Sequence, residues 1–378
     1  MWRSGIKTRR KNKNRITFIV VKKRIVIKIG SNVLTRQDGK LDVTRMSSLV
    51  DQVAALREMD YEVILVSSGA VASGKGELQT QQHLDSVEQR QLFSAIGQVK
   101  LMGLYYDLFR EHGICIGQVL TMKENFSSRQ EYLNQRACIS VMLENGVIPI
   151  VNENDTVSIT ELMFTDNDEL SGLIAAMMDA DTLVILSNID GIYNGAPDDP
   201  ESRVIEIVEP ESDLADYIQN EKSGFGRGGM LTKCAIARKV AEEGIRVIIA
   251  NGKRENILIQ LAEEPENVVH SEFIPSDRNT SQMKKWLAHS GSFAKGIVRI
   301  NDRAVEALHE KKQAVSLLFV GVESIEGDFE EGDIISIRDK QDNEIAVGRS
   351  SFNADNALAL IGKHNQKPLV HYDYLCMS

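Results

Sequence analysis

RIVIKIG, residues 24–30, places Ile25, Val26 and Ile27 side by side and closes on Gly30. A strand with one wet face alternates apolar and polar positions. An uninterrupted run belongs to a strand covered on both faces, as in a parallel sheet between helical layers. Similar runs recur in YEVILVSSGAVASG (61–74), ICIGQVL (114–120), VIPIVN (147–152), TLVILS (182–187), VIEIVE (204–209) and RVIIANG (246–252). Helical spacing separates them: DVTRMSSLVDQVAALREM (42–59) with an Asp cap, QRQLFSAIGQVKLMGLYYDLFREHG (89–113) as one helix or two, and RQEYLNQRACISVMLENG (129–146). Further helices are expected over ELSGLIAAMMDA (169–180) and after GGMLTK. The alternation predicts an α/β fold, an open, mostly parallel sheet sandwiched by helices. Ligands bind such sheets where strands end, which selects KIGSN (28–32), VSSGAVASG (66–74), VNENDT (151–156), LSNIDGIY (186–193) and ANGKREN (250–256).

Around SDRNTSQMKKW (276–286) the alternation stops, and short strands with glycine and acidic turns follow. The expected division is a basic leader at 1–23, an α/β domain at 24–275, a linker at 276–293 and a small β-rich domain at 294–378. From Arg3 to Arg24 there is no acidic residue and no sustained amphipathic pattern, so the leader is expected to be disordered. Over the whole 378 residues the net charge is −10, which argues against a general nucleic-acid binder. No apolar segment is long enough to cross a bilayer. Cys115, Cys138, Cys234 and Cys376 form no CxxC pair and read as reduced, mostly buried thiols of a cytosolic protein. The seven histidines are scattered, so no zinc site is expected.

Several stretches carry possible chemistry. GAVASGKG (69–76) nearly matches a phosphate-binding P-loop, but Gly76 stands where a hydroxyl should hold Mg²⁺; it reads instead as a small-residue loop where backbone approaches a ligand. Lys28 lies inside an apolar strand, either snorkelling at its end or aimed at a phosphate above the sheet. SGFGRGGMLTK (223–233) reads as a mobile linker or as a phosphate loop running into a helix that carries Lys233 on its first turn. MFTDNDELSG (163–172) reads as a solvated helix cap or as a set of carboxylates that orient the lysines or meet Mg²⁺. Together these suit phosphoryl transfer, which needs positioning and charge neutralisation more than covalent chemistry. No histidine, cysteine or serine is placed like a nucleophile with its base.

In this order, KIGSNVL, VSSGAVASG, NENDTV, FTDNDELS, DGIY and GRGGMLTK resemble the amino acid kinase family, in particular its glutamate-phosphorylating branch that opens proline synthesis. The tail from Lys295 resembles a PUA domain. The resemblance implies ATP with Mg²⁺ as cofactors, L-glutamate as acceptor, and Lys28, Asp168 and Lys233 as the catalytic group. It implies that Ser68, Asp155 and Asn167 bind glutamate, with Asp155 on the α-ammonium. It places the nucleotide on Lys28, Gly30, Ser187, Asn188, Arg227, Gly228, Gly229, Met230, Leu231, Thr232 and Lys233. It implies proline feedback inhibition, a homo-oligomer (a tetramer), glutamyl-phosphate reductase as the next enzyme, and a cytoplasmic location without membrane partners. Ser187–Asn188 stands where Thr–Asp is common, Ser31–Asn32 where Thr–Ser is usual, and Thr165 where glycine is common. The rivals are a family member acting on N-acetylglutamate, aspartate, UMP or carbamate, an RNA-binding regulatory protein built on the tail, and an inactive kinase-like module. Residues 291–378 hold 10 Lys and Arg against 14 Asp and Glu, a net of −4, the wrong sign for tight RNA binding.

Overall fold

A computed structural model describes residues 23–78, 84–157, 167–195, 199–210, 212, 230–276, 287, 294–309 and 315–377. The basic leader, Asp166 and the glycine-rich stretch through Gly229 lie outside the described residues. The run at 24–30 forms β1 (Lys23–Ile29), in the middle of an eight-stranded sheet. The order runs β3 (Ile116–Thr121), β4 (Ile148–Glu153), β2 (Tyr61–Ser67), β1, β5 (Thr182–Ser187), β7 (Arg246–Asn251), β8 (Ser271–Phe273) and β6 (Ile207–Val208). All neighbours pair in parallel except β7 with β8. VIEIVE contributes only the two residues of β6, while Val204 makes an isolated bridge to Tyr193.

Side chains of β1 alternate between two cores. Ile25, Ile27 and Ile29 join Met46, Leu49 and Val53 of α2 (Val43–Glu58) and Leu101, Tyr105 and Phe109 of α4 (Ser86–Glu111). Val26 points the other way, toward Leu170, Leu173 and Ile174 of α6 (Asn167–Met177) and Ala237 and Val240 of α7 (Met230–Glu242). Lys28, two residues on from Val26, faces the same layer. The helix expected at 89–113 is a single one, α4, started by a capping box: Asp85 accepts from the Val87 and Glu88 amides, and Glu88 accepts from that of Asp85.

The small-residue stretch at 69–76 is not the open ligand loop expected of it. Gly69, at φ +104°, turns the chain out of β2 directly into α3 (Ala70–Glu77). A Cβ on Gly74 would lie 1.9 Å from the Phe93 carbonyl oxygen, and one on Gly97 would lie 1.8 Å from that of Ala70. Its glycines therefore let α3 press backbone to backbone on α4. Gly97→Ala is expected to cost about 3 kcal/mol through overpacking, read as a lower urea midpoint; an unchanged midpoint would refute this account of the joint.

The thiols also depart from expectation. All four are free, but Cys115 and Cys138 are exposed and only Cys234 is fully buried. Cys115 precedes β3, an edge strand, and Cys138 lies on α5 (Arg129–Glu144), much of which faces solvent. Apart from the eight-stranded sheet, β9 (Gly296–Ile300), β10 (Val322–Gly327), β11 (Ile334–Arg338), β12 (Glu344–Arg349) and β13 (Leu375–Met377) form a separate five-stranded sheet, with a helix at Asp302–His309. Val298, Ile300, Phe319, Ile335, Ile337 and Val370 fill its core. Among the described residues, no helix is long and apolar enough to cross a membrane.

Candidate active site

A lysine on a buried strand face is costly unless an anion meets it. Lys28 is buried and does not snorkel; its Nζ lies 2.5 Å from Oδ1 of Asp168. The other oxygen of that carboxylate, Oδ2, lies 2.8 Å from Nζ of Lys233, on the first turn of α7. Asp168 is 0% exposed. Burial alone would push its carboxyl up, but Lys28 and Lys233 outweigh that and hold it below the ordinary carboxylate range. Three groups from β1, α6 and α7 thus carry a net single positive charge where the central strand ends.

The neighbouring residues of α6 have different partners. Asn167 donates through Nδ2 to Ser68 Oγ (2.9 Å), to Asn152 Oδ1 (3.1 Å) and to the Ser67 carbonyl (3.4 Å). Glu169 pairs with Lys123 at 3.2 Å, so the remainder of the acidic cluster is partly an ion pair with a neighbouring turn. Ser67 Oγ lies 2.9 Å from the Tyr105 hydroxyl, whose pKa burial pushes up to about 12. Asn152 in turn accepts from the Glu153 amide (2.9 Å) and donates to Gln98 (3.0 Å). Asp155, two residues further on, is held by Arg90: Arg90 Nε donates to Asp155 Oδ1 at 2.6 Å, while its terminal nitrogen donates to Glu153 Oε2 at 2.7 Å. Burial pushes the Asp155 carboxyl up, and Arg90 opposes that rise.

Ser68 and Asn167 therefore come together, as do Lys28, Asp168 and Lys233. Asp155 joins them through a chain of side chains rather than directly. Arg90, Gln98, Asn152, Glu153 and Tyr105 are members of this network that sequence reasoning misses. Arg90, Gly97, Gln98, Leu101 and Tyr105 share a helical face of α4, a pattern visible at 3.6-residue spacing, but nothing local tells a polar member of that face from a solvated one.

Among the residues expected to meet a nucleotide, Gly30 donates its amide to the Leu186 carbonyl (3.2 Å), and a Cβ there would sit 3.5 Å from Lys28 Nζ. Ser31 starts a one-turn helix, α1 (Ser31–Leu34). Ser187 ends β5, with its hydroxyl 3.5 Å from Asn188 Oδ1. Met230, Leu231, Thr232 and Lys233 form the first turn of α7. Arg227, Gly228 and Gly229 lie outside the described residues.

The described residues do not fit a resident Mg²⁺. No group of three or more His, Cys, Asp or Glu among them is disposed to hold a metal. Both oxygens of Asp168 are committed to lysines. What the arrangement offers is two ammonium groups on one fixed carboxylate, beside a cluster of neutral hydrogen-bonding side chains. That is a cradle for a polyanion next to a small polar acceptor.

Comparison with known proteins agrees. The amino acid kinase family model matches residues 23–251, and the PUA domain model matches 296–372. A Bacteroides thetaiotaomicron protein named glutamate 5-kinase is 62% identical over 93% of this chain and 98% of its own. One of the same name from Chlorobaculum tepidum is 46% identical over 94% of this chain and 97% of its own. Among solved structures, carbamate kinase from Giardia lamblia bound to AMP-PNP shares the fold, with a TM-score of 0.50 at 15% identity, over 68% of this chain and 99% of that one.

Proposed function

The chain belongs to the amino acid kinase family, and from that premise we infer that it transfers the γ-phosphoryl group of ATP to the γ-carboxylate of L-glutamate. The glutamate 5-kinases of Bacteroides thetaiotaomicron and Chlorobaculum tepidum, related over nearly their full length, support this acceptor. The observation that carries the chemistry is the bridge of Lys28, Asp168 and Lys233 beside the Ser68–Asn167 pair. A γ-carboxylate oxygen attacks the terminal phosphorus; a new O–P bond forms as the bond to ADP breaks. The acceptor is already ionised at neutral pH, with a reference pKa of about 4.3, so no general base is needed.

Lys28 and Lys233 neutralise charge spreading over the transferring group, and Asp168 holds the two ammonium groups apart at fixed positions. Ser68 and Asn167 take the acceptor's carboxylates, and Asp155 takes its α-ammonium. Gly30, Ser187, Asn188 and the segment from Arg227 through Gly228, Gly229, Met230, Leu231 and Thr232 to Lys233 receive the nucleotide. Asn188 does so without the charge usual in the family. Mg²⁺, for which the described residues form no site, would come with the nucleotide and add charge neutralisation at its phosphates.

The kinase domain is taken as 24–275 and the PUA domain as 294–378, joined by a linker. The latter domain is read as structural or regulatory: residues 291–378 carry a net charge of −4, and Lys295, Arg299, Arg338 and Lys340 are each paired with a carboxylate. Val99 and Tyr106, 77% and 56% exposed and seven residues apart on α4, support burial against another copy and hence an oligomer, a tetramer in this reading. Proline is the expected feedback inhibitor, glutamyl-phosphate reductase the next enzyme, and the cytoplasm the location.

The test is a hydroxylamine trap for acyl phosphate, with Mg·ATP and, separately, L-glutamate, N-acetylglutamate and aspartate. Glutamate-dependent hydroxamate that falls on adding proline is the expected result. Signal with another acid alone would overturn the acceptor, and none with any acid would overturn the reaction.

A further inference from the structure

We propose that Arg90 is a positioning residue for the amine subsite: it binds Glu153 and Asp155 together so that the three present one net negative charge to the acceptor's ammonium, which selects a free amino acid over an N-acylated one. The inference rests on the glutamate reading above. Glu153 closes β4 and Asp155 follows it by two residues, and both carboxylates are largely buried, with side chains 5% and 11% exposed. Two carboxylates so placed without a cation would repel, and one would take a proton. Arg90 spans both, through Nε to Asp155 and a terminal nitrogen to Glu153. Those nitrogens are thereby turned to the protein's own acids, so Arg90 is read as acting through Asp155 rather than on the substrate.

The charge count gives the selectivity. With a free ammonium bound, the subsite is neutral. An N-acylated acceptor would leave a buried negative charge uncompensated, a repulsive element against the wrong ligand. The arginine is also held stiffly. It sits in the second turn of α4, whose start is fixed by the Asp85 capping box and whose middle is fixed against α3 through Gly74 and Gly97. Because α3 follows Ser68 and Gly69 directly, the same joint links the position of Ser68 to that of Arg90. Among the described residues, the charged group paired with Asp155 is Arg90 from α4, which holds Glu153 from the end of β4 at the same time.

The experiment measures kcat and KM for glutamate and for ATP in the wild type, Arg90→Gln and Arg90→Lys between pH 6 and 8, with N-acetylglutamate as a competing ligand. In Arg90→Gln the glutamate KM should rise on the order of 30-fold at pH 6, the loss of a charge-assisted contact of about 2 kcal/mol, with kcat and the ATP KM nearly unchanged. The defect should shrink toward pH 8, because burial raises the Asp155 carboxyl and, without Arg90 to oppose that rise, it carries more of its charge as pH rises. Arg90→Lys should restore most of the affinity, and in Arg90→Gln the preference for glutamate over N-acetylglutamate should narrow at pH 6 as glutamate affinity falls. An unchanged glutamate KM, a pH-independent defect shared by both variants, or a fall in kcat and ATP affinity together would overturn the role of Arg90. A wild type with no glutamate-dependent hydroxamate would instead overturn the reading on which it rests.

Discussion

Lys233→Ala should lower kcat by about 10²–10³-fold, the usual effect of deleting one preorganised donor to transition-state charge, while leaving the glutamate KM within about twofold. The reason lies in how the charge is divided. Asp168 gives one oxygen to each lysine, so removing Lys233 leaves Lys28 and Asp168 as a complete, neutral buried pair. The fold is therefore expected to survive, and the loss falls on the reacting phosphoryl group. In the proposed reading glutamate is held elsewhere, by Ser68, Asn167 and the Arg90-supported Asp155, so ground-state acceptor binding has no reason to change. Asp155→Ala is the mirror case: the ammonium loses its counter-charge, and the glutamate KM should rise on the order of 30-fold with a smaller change in kcat. Steady-state kinetics in both substrates separates the two. A Lys233→Ala enzyme with normal kcat and a large glutamate KM would show that the lysine serves the acceptor and not the transfer.

Much of this division of labour is legible in the amino-acid sequence, for reasons that differ by residue. The apolar run Ile25–Val26–Ile27, closing on Gly30, reads as a doubly covered strand, and the two-residue period places Lys28 on the Val26 face. That period cannot say which helices cover that face. Asp168 and Lys233 reach Lys28 because α6 and α7 both start there, a fact of tertiary packing. The stretch at 69–76 misleads because glycines serve two ends that sequence does not distinguish: close approach to a ligand, and close approach of one helix to another. Here the second applies, with Gly74 and Gly97 separated by 23 residues and meeting across α3 and α4. Arg90 is invisible for a similar reason. Its partners lie 63 and 65 residues away, and a lone arginine on an amphipathic helix ordinarily points to water. The exposed thiols escape because cysteine's average burial does not show that Cys115 lies beside an edge strand or that Cys138 lies on a wet helix face.

Asp168→Asn should be the most damaging single change, in stability as well as rate. Unlike Lys233→Ala, it leaves two ammonium groups facing each other inside the protein with no counter-charge. Breaking a buried ion pair in this way costs about 3–5 kcal/mol, and kcat should fall by at least about 10³-fold as both lysines lose their fixed positions. The pH dependence gives a signature that simple loss of packing would not. In the wild type the folded-state pKa of Asp168 is depressed. Its contribution to stability is therefore fully present above the unfolded carboxyl pKa of about 3.9 and is lost as pH falls below that toward the folded value. The asparagine variant lacks this acid limb. It gains an alkaline one: mutual repulsion makes the folded variant bind fewer protons than the unfolded chain, so its stability should rise between pH 7 and 10. Urea denaturation across pH 3–10 would display both limbs. A variant whose midpoint ran parallel to the wild type throughout would mean that the two lysines do not depend on Asp168 for their charge balance, and the cradle would lose its physical basis.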